Sequence, residues 1–220
     1  MKAWAELGAL SAAMALFLFI PAGTVRYWQA WDFLAIFIAG SALINLYLIR
    51  HDRSLLCRRV KAGPTAERLT SQKIVMLIAS VGFAGLLVIP ALHHRFAWSP
   101  QSAAVLIVRN MLVVLGFCVV FLVFRQNTFT SATIEIADDQ KVVSAGPYAF
   151  LRHPMYAGSL LFLLGMPLAL GSLWGLVLLA PMLIILMWRI TDEERLLVKR
   201  LPGYLEYRKK VHAWLIPGVF

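Results

Sequence analysis

Six long apolar runs dominate this chain, at roughly 4–20, 28–49, 74–92, 102–124, 155–170 and 172–190. A helix needs about 20 apolar residues to cross the hydrocarbon core of a bilayer, so each run is at or near the length of a membrane span. The hydrophobic fraction is 60%, against roughly 45–50% in soluble domains. A soluble fold of 220 residues could not hide that surface. The expected architecture is therefore an all-α integral membrane protein with about six transmembrane helices, one membrane domain over 1–220. Lys2 followed by the apolar stretch 7–20 has the charge order of a signal peptide. However, Pro21-Ala22-Gly23-Thr24 leads straight into the second run, so the first run is read as a retained helix.

Charge gives the orientation. Lys and Arg total 21 against 11 Asp and Glu, a net +10. In a soluble protein that excess would point to nucleic acid, but the chain carries no nucleic-acid motif. Basic residues instead crowd the segments 50–73, 125–154 and 189–220, with Lys2 on the same side. Only Arg26 and Arg95 fall in the opposite loops, and Arg109 lies inside the fourth run. The positive-inside rule then places both termini in the cytoplasm, facing anionic lipid. Arg109 sits near the outer end of its run, where a long side chain can snorkel to the interface. His93 and His94 are expected in an outer loop with no Cys, Asp or Glu beside them, so no metal site is expected. Cys57 and Cys118 give no disulfide framework.

Two polar clusters interrupt the apolar pattern. The first is Gly146-Pro147-Tyr148-Ala149-Phe150-Leu151-Arg152-His153-Pro154-Met155-Tyr156, just ahead of the fifth run. Gly-Pro signals a turn, and Pro154 suits the first turn of a helix, where its missing N–H is not needed. That helix start presents free N–H groups and a positive dipole end to a polar ligand. Arg152 and His153 add donors, and Tyr148, Phe150 and Tyr156 add aromatic faces. The second cluster, Arg189-Ile-Thr-Asp192-Glu193-Glu194, ends the sixth run. Arg189 and Glu193 are four apart and share a helix face; Glu194 is expected to point away, solvated or paired with Arg195 or Lys199. Gly171-Ser172 would join runs five and six as an antiparallel hairpin over 155–190, kinked at Pro167 and Pro181. Between the clusters and the fourth run, 125–154 is a long polar connection with short extended pieces at 133–136 and 142–143. Beyond 190, a helix continuing out of the membrane and a surface-lying segment are expected.

Gly146-Pro147-Tyr148-x-x-x-Arg152-His153-Pro154-x-Tyr156, followed by Arg189-x-x-x-Glu193-Glu194-x-x-Leu197 and Tyr204-x-x-Tyr207, resembles the isoprenylcysteine carboxyl methyltransferase family and its phospholipid methyltransferase relatives. The resemblance covers about 125–217. It implies that helices one to four occupy 1–124 and that 125–220 is a methyltransferase-like core binding S-adenosylmethionine at the cytoplasmic face. Carried over by position, Gln140, Lys141, Val142, Val143, Tyr148, His153, Pro154, Met155, Tyr156 and Glu193 would line the cofactor site. Arg189 would orient the substrate, with His153 and Glu193 beside the reacting centre. The chain departs from the pattern at Gln140, often His in the family, and at Pro202, usually Gly. The implied acceptor is a lipidic or prenylated small molecule held in the membrane.

With His153 and Glu193 both implied by the resemblance in cofactor binding, a carboxylate acceptor is favoured, because a carboxylate is ionised at neutral pH and needs no general base. Phospholipid N-methyl or thiol S-methyl transfer would need one, from His153 or Glu193. Outside methyl transfer, the Arg-His-x-x-Tyr element is shared with sterol-reductase-like oxidoreductases that use NADPH, and a non-catalytic lipid-binding membrane protein would bind no cofactor.

Overall fold

The structure, a computed structural model, describes residues 2–60, 65–67, 70–97, 103–134, 136 and 140–218. Among them are eight α-helices and no β-strand: α1 (Lys2–Ala22), α2 (Trp28–His51), α3 (Arg53–Val60), α4 (Thr70–Phe96), α5 (Ala103–Gln126), α6 (Pro154–Ala169), α7 (Leu179–Arg200) and α8 (Tyr204–Lys210). Five helical stretches are long and apolar enough to span a bilayer, and α6 is a shorter apolar helix. Their outward faces stay apolar, with Ile20 of α1, Val81 of α4 and Ile184 of α7 all exposed. Such surface belongs in lipid. The chain is an all-helical, multi-pass integral membrane protein.

The core joins both halves of the chain. Met14 and Leu18 of α1, Phe33 and Phe37 of α2, Leu86 and Leu87 of α4, and Met166 of α6 form one buried cluster. The main partner of α6 is α5, not the helix that follows it. Glycines make this approach possible. A Cβ on Gly116 would sit 2.8 Å from the Gly158 carbonyl and from the Phe162 backbone nitrogen, and one on Gly165 would sit 2.8 Å from the Val113 nitrogen. Without a hydrophobic drive between helices in lipid, close backbone packing of this kind supplies the association energy. Gly116→Ala therefore has to push backbone aside and is expected to cost about 1–3 kcal/mol. A fall in the detergent melting temperature checks it, and an unchanged value would mean that α5 and α6 are not held this tightly.

Several expectations change. His93 and His94 lie in the last turns of α4 rather than in a loop; His93 is buried and His94 stacks on Tyr27 at 4.2 Å. Arg109 reaches the Leu168 carbonyl at 3.5 Å, meeting the orphan acceptors at the end of α6. Pro181 is the third residue of α7, inside its first turn. A 3-10 turn, Trp174–Leu178, precedes it. The tight turn at Gly171 (φ 81°) does connect α6 to this element. The two helices do not pack as a close hairpin, however; α7 lies chiefly on α4. No extended strand forms at 133–134 or 142–143, and Glu135 lies outside the described residues.

α3 replaces part of what reads as a basic loop. Asp52 caps it, accepting the Leu55 N–H at 2.8 Å and the Ser54 hydroxyl at 3.1 Å. Burial opposes the Asp52 charge, yet hydrogen bonds from Thr128, Leu55 and Ser54 and the nearby Arg58 hold its pKa below the usual carboxylate value. Asp52 also accepts the Thr128 hydroxyl, Arg58 donates to the Thr128 carbonyl, and Arg59 Nη1 donates to the Ser131 carbonyl at 3.1 Å. The connection after α5 is thus stitched to α3.

Candidate active site

The motif before α6 folds as its turn chemistry requires. Gly146, at φ 61°, opens a 3-10 turn over Gly146–Ala149, and its missing Cβ clears Gln126. His153 precedes α6 and Pro154 is its first residue. The backbone N–H groups of Arg152 and His153 donate to the Ala213 and Trp214 carbonyls at 2.9 and 3.1 Å. The C-terminal segment therefore returns to the motif. Leu201, Tyr204, Tyr207 and Val211 bury against Val142, Tyr148 and Leu197, and the Tyr207 hydroxyl donates to the Tyr148 carbonyl at 2.7 Å. Gly203, at φ 82°, makes the sharp entry to α8.

Two carboxylates adjacent on α7 then divide the work. Glu194, expected in solvent, is only 6% exposed and is the hub of one network. It accepts Arg152 Nη1 at 2.6 Å, His153 Nε2 at 2.9 Å and the Tyr204 hydroxyl at 2.6 Å. The buried guanidinium of Arg152 supplies the physical reason, since an unpaired charge there would be prohibitively desolvated. Arg152 also packs under Trp214, 5.3 Å from its ring centre. Glu193 faces the other way and accepts the Tyr156 hydroxyl at 2.6 Å. Arg189 donates from Nε to the same hydroxyl at 3.1 Å, from Nη1 to Gln72 at 3.0 Å and from Nη2 to the Ala132 carbonyl at 2.9 Å. Its counter-ion is Glu67, 2.9 Å away and buried. Gln72 in turn donates to Asp192 at 2.7 Å. Arg189 and Glu193 thus meet through Tyr156 rather than as a direct ion pair.

Between the two networks lies a cavity of about 390 Å³, within the roughly 300–1,000 Å³ of small-molecule sites. Every residue expected to line the cofactor site borders it: Gln140, Lys141, Val142, Val143, Tyr148, His153, Pro154, Met155, Tyr156 and Glu193. Arg189 borders it as well. Burial pushes the Tyr148 phenol up to about 12, with the Glu193 charge adding and the hydrogen bond from Asn127 opposing. Burial likewise raises Tyr204 and Tyr207. These phenols stay neutral at physiological pH; Tyr204 and Tyr207 donate through their hydroxyls, while the Tyr148 hydroxyl accepts from Asn127.

Residues 105–202 match the phospholipid methyltransferase family. This phospholipid-methyltransferase-like segment includes the motif before α6, the whole of α6 and the polar end of α7. The chain is also similar to a protein-S-isoprenylcysteine O-methyltransferase of Schizosaccharomyces pombe, 37% identical over 79 residues, or 33% of this chain and 32% of that protein. The chain thus matches about a third of the relative's length.

Outside the phospholipid-methyltransferase-like segment, the cavity is completed by residues that sequence reasoning passed over. Arg59 of α3 and Met76 of α4 line it, and Glu67 and Gln72 fasten Arg189 behind its wall. The sequence held one faint signal: Glu67 is an acid among the many bases of 50–73, and Gln72 is a polar residue at the head of an apolar run.

Proposed function

We propose that this chain is a membrane methyltransferase that uses S-adenosylmethionine and acts on a membrane-embedded acceptor, most simply by O-methylation of a carboxylate. The observation that carries the reading is the cavity at the start of α6, bordered by the family motif on one side and by Arg189 and Glu193 on the other. The residues fit such a cofactor. Glu193 offers a negative charge for its amino or sulfonium group, and Lys141 offers a positive one for its carboxylate. Tyr148 and Tyr156 offer aromatic faces, and Val142, Val143 and Leu197 an apolar wall for its base. When bound, S-adenosylmethionine supplies a methyl group on a sulfonium, open to attack by a nucleophile in line with the departing sulfur.

The chain's own contribution is position. His153 is tied through Nε2 to Glu194, and Glu193 already accepts the Tyr156 hydroxyl. Neither stands as an unengaged base, which favours an acceptor that is already anionic over an amine or thiol. Arg189, held on several sides, would orient that acceptor, and orientation alone can account for much of a bimolecular rate enhancement. The positive-inside rule places the cavity and both termini at the cytoplasmic face.

Calorimetric titration of detergent-purified protein tests the cofactor. Heat with S-adenosylmethionine and S-adenosylhomocysteine and none with NADPH is expected. Binding of NADPH alone would replace the reading with an oxidoreductase, and binding of none would leave a lipid-binding scaffold. Methyl incorporation into a farnesylcysteine analogue tests the acceptor.

A further inference from the structure

Among the described residues, not every cation beside the cavity has a carboxylate partner. Arg152 is matched by Glu194 at 2.6 Å and Arg189 by Glu67 at 2.9 Å. Lys141 is exposed to solvent and borders the cavity. Arg59 differs from all three. It sits in the last turn of α3, partly buried, with its guanidinium 5.2 Å over the Phe124 ring and Nη1 fixed on the Ser131 carbonyl at 3.1 Å. Among the described residues no carboxylate pairs with it, yet it borders the cavity. Burial and the nearby Arg189 charge lower its pKa from the usual arginine value, as befits a cation held without its counter-charge.

Its neighbours indicate what shape of molecule would supply that charge. Met155, Tyr156 and Ser159 of α6 and Met76 of α4 border the same cavity. Met76 and Ser159 lie a turn or two into helices long or apolar enough to enter the bilayer. The cavity therefore runs from a cation that no described carboxylate pairs toward helices apolar enough to enter hydrocarbon. We infer that Arg59 is the specificity-determining residue for the acceptor, holding the anionic group of an amphiphile whose tail lies toward α4 and α6. The shared chemistry is a carboxylate or a phosphate on a lipid chain, taken by a planar guanidinium that is pre-organised against Phe124. In an acid acceptor this anion is the reacting group; in a phospholipid it would sit beside it. The inference deepens the methyltransferase reading and rests on it for the role of the bound amphiphile.

The test uses full-length protein in detergent as wild type, Arg59→Gln and Arg59→Lys. Each is titrated with two matched pairs: N-acetyl-S-farnesylcysteine and its methyl ester, then a lysophosphatidic acid and the corresponding monoacylglycerol. S-adenosylhomocysteine is titrated in parallel. A charge-assisted contact worth about 1.5–3 kcal/mol corresponds to roughly 10–100-fold tighter binding of the acid than of its neutral partner. Wild type is expected to show that preference in at least one pair. Arg59→Gln should lose the preference, Arg59→Lys should keep part of it, and both should bind S-adenosylhomocysteine as wild type does. Preference within the first pair alone identifies a carboxylate acceptor, and within the second alone a phospholipid. Retention of the preference by Arg59→Gln, or its absence from wild type in both pairs, overturns the assignment. If the preference follows Arg59 but S-adenosylhomocysteine does not bind wild type, the methyltransferase reading fails while the anion site stands.

Discussion

Glu194→Ala is expected to be the most damaging single substitution in the molecule. It leaves Arg152 and His153, both buried, without the carboxylate that joins them, and it frees the Tyr204 hydroxyl that closes the C-terminal segment onto the motif. Removing one partner of a buried ion pair costs about 3–5 kcal/mol. The loss should appear as a large drop in thermal stability in detergent, followed by tryptophan emission, because Trp214 packs on Arg152. Glu194→Gln keeps the shape but not the charge and should fall in between. Its sequence neighbour behaves oppositely: Glu193→Gln should weaken S-adenosylhomocysteine binding with far less effect on unfolding. Should Glu194→Ala melt like wild type, the hub described above is not what holds the motif in place.

The second large effect separates structure from chemistry at Arg189. Arg189→Met strands Glu67, whose side chain is 2% exposed, and should cost about 3–5 kcal/mol for the orphaned charge. Removing both charges, in Arg189→Met with Glu67→Met, should restore most of that stability, as replacement of a whole buried pair by apolar residues often does. Methyl transfer should not return with it. Loss of acceptor orientation is expected to hold the rate down about 100-fold, the scale of a misplacement by an ångström. If the double variant regains full activity as well as stability, Arg189 is only the counter-ion of Glu67.

Apolar patterning made the spans legible, because helix length against bilayer thickness is a one-dimensional property. The turn at Gly146 and the start of α6 at Pro154 were readable for a similar reason, since each depends on local backbone chemistry; the residues from Gln140 to Tyr156 that border the cavity came from the family resemblance instead. What the sequence concealed is pairing across distance. Helical phase separates Glu193 from Glu194 in the sequence, but only the placement of Arg152 and Tyr204 sends Glu194 into a buried network instead of solvent. Arg59 lay in a stretch whose excess of bases suggested nothing beyond lipid-facing charge, and the fold of α3 against residues 128–131 gives it its position, whereas Glu67 meets the Ile134 N–H and Arg189. The packing of α6 on α5 instead of α7 was likewise hidden, since a tight connection fixes proximity at one end and leaves the rest of the helix free to choose a partner.

The ion pair between Arg189 and Glu67 ties the family-matched stretch to residues that precede it. Transplanting 105–202 alone into another scaffold would import a guanidinium and abandon its neutralising acid. Modular exchange should therefore succeed only when positions 67 and 72 travel with the graft, so the front of the chain completes the surroundings of Arg189 and is not an interchangeable anchor.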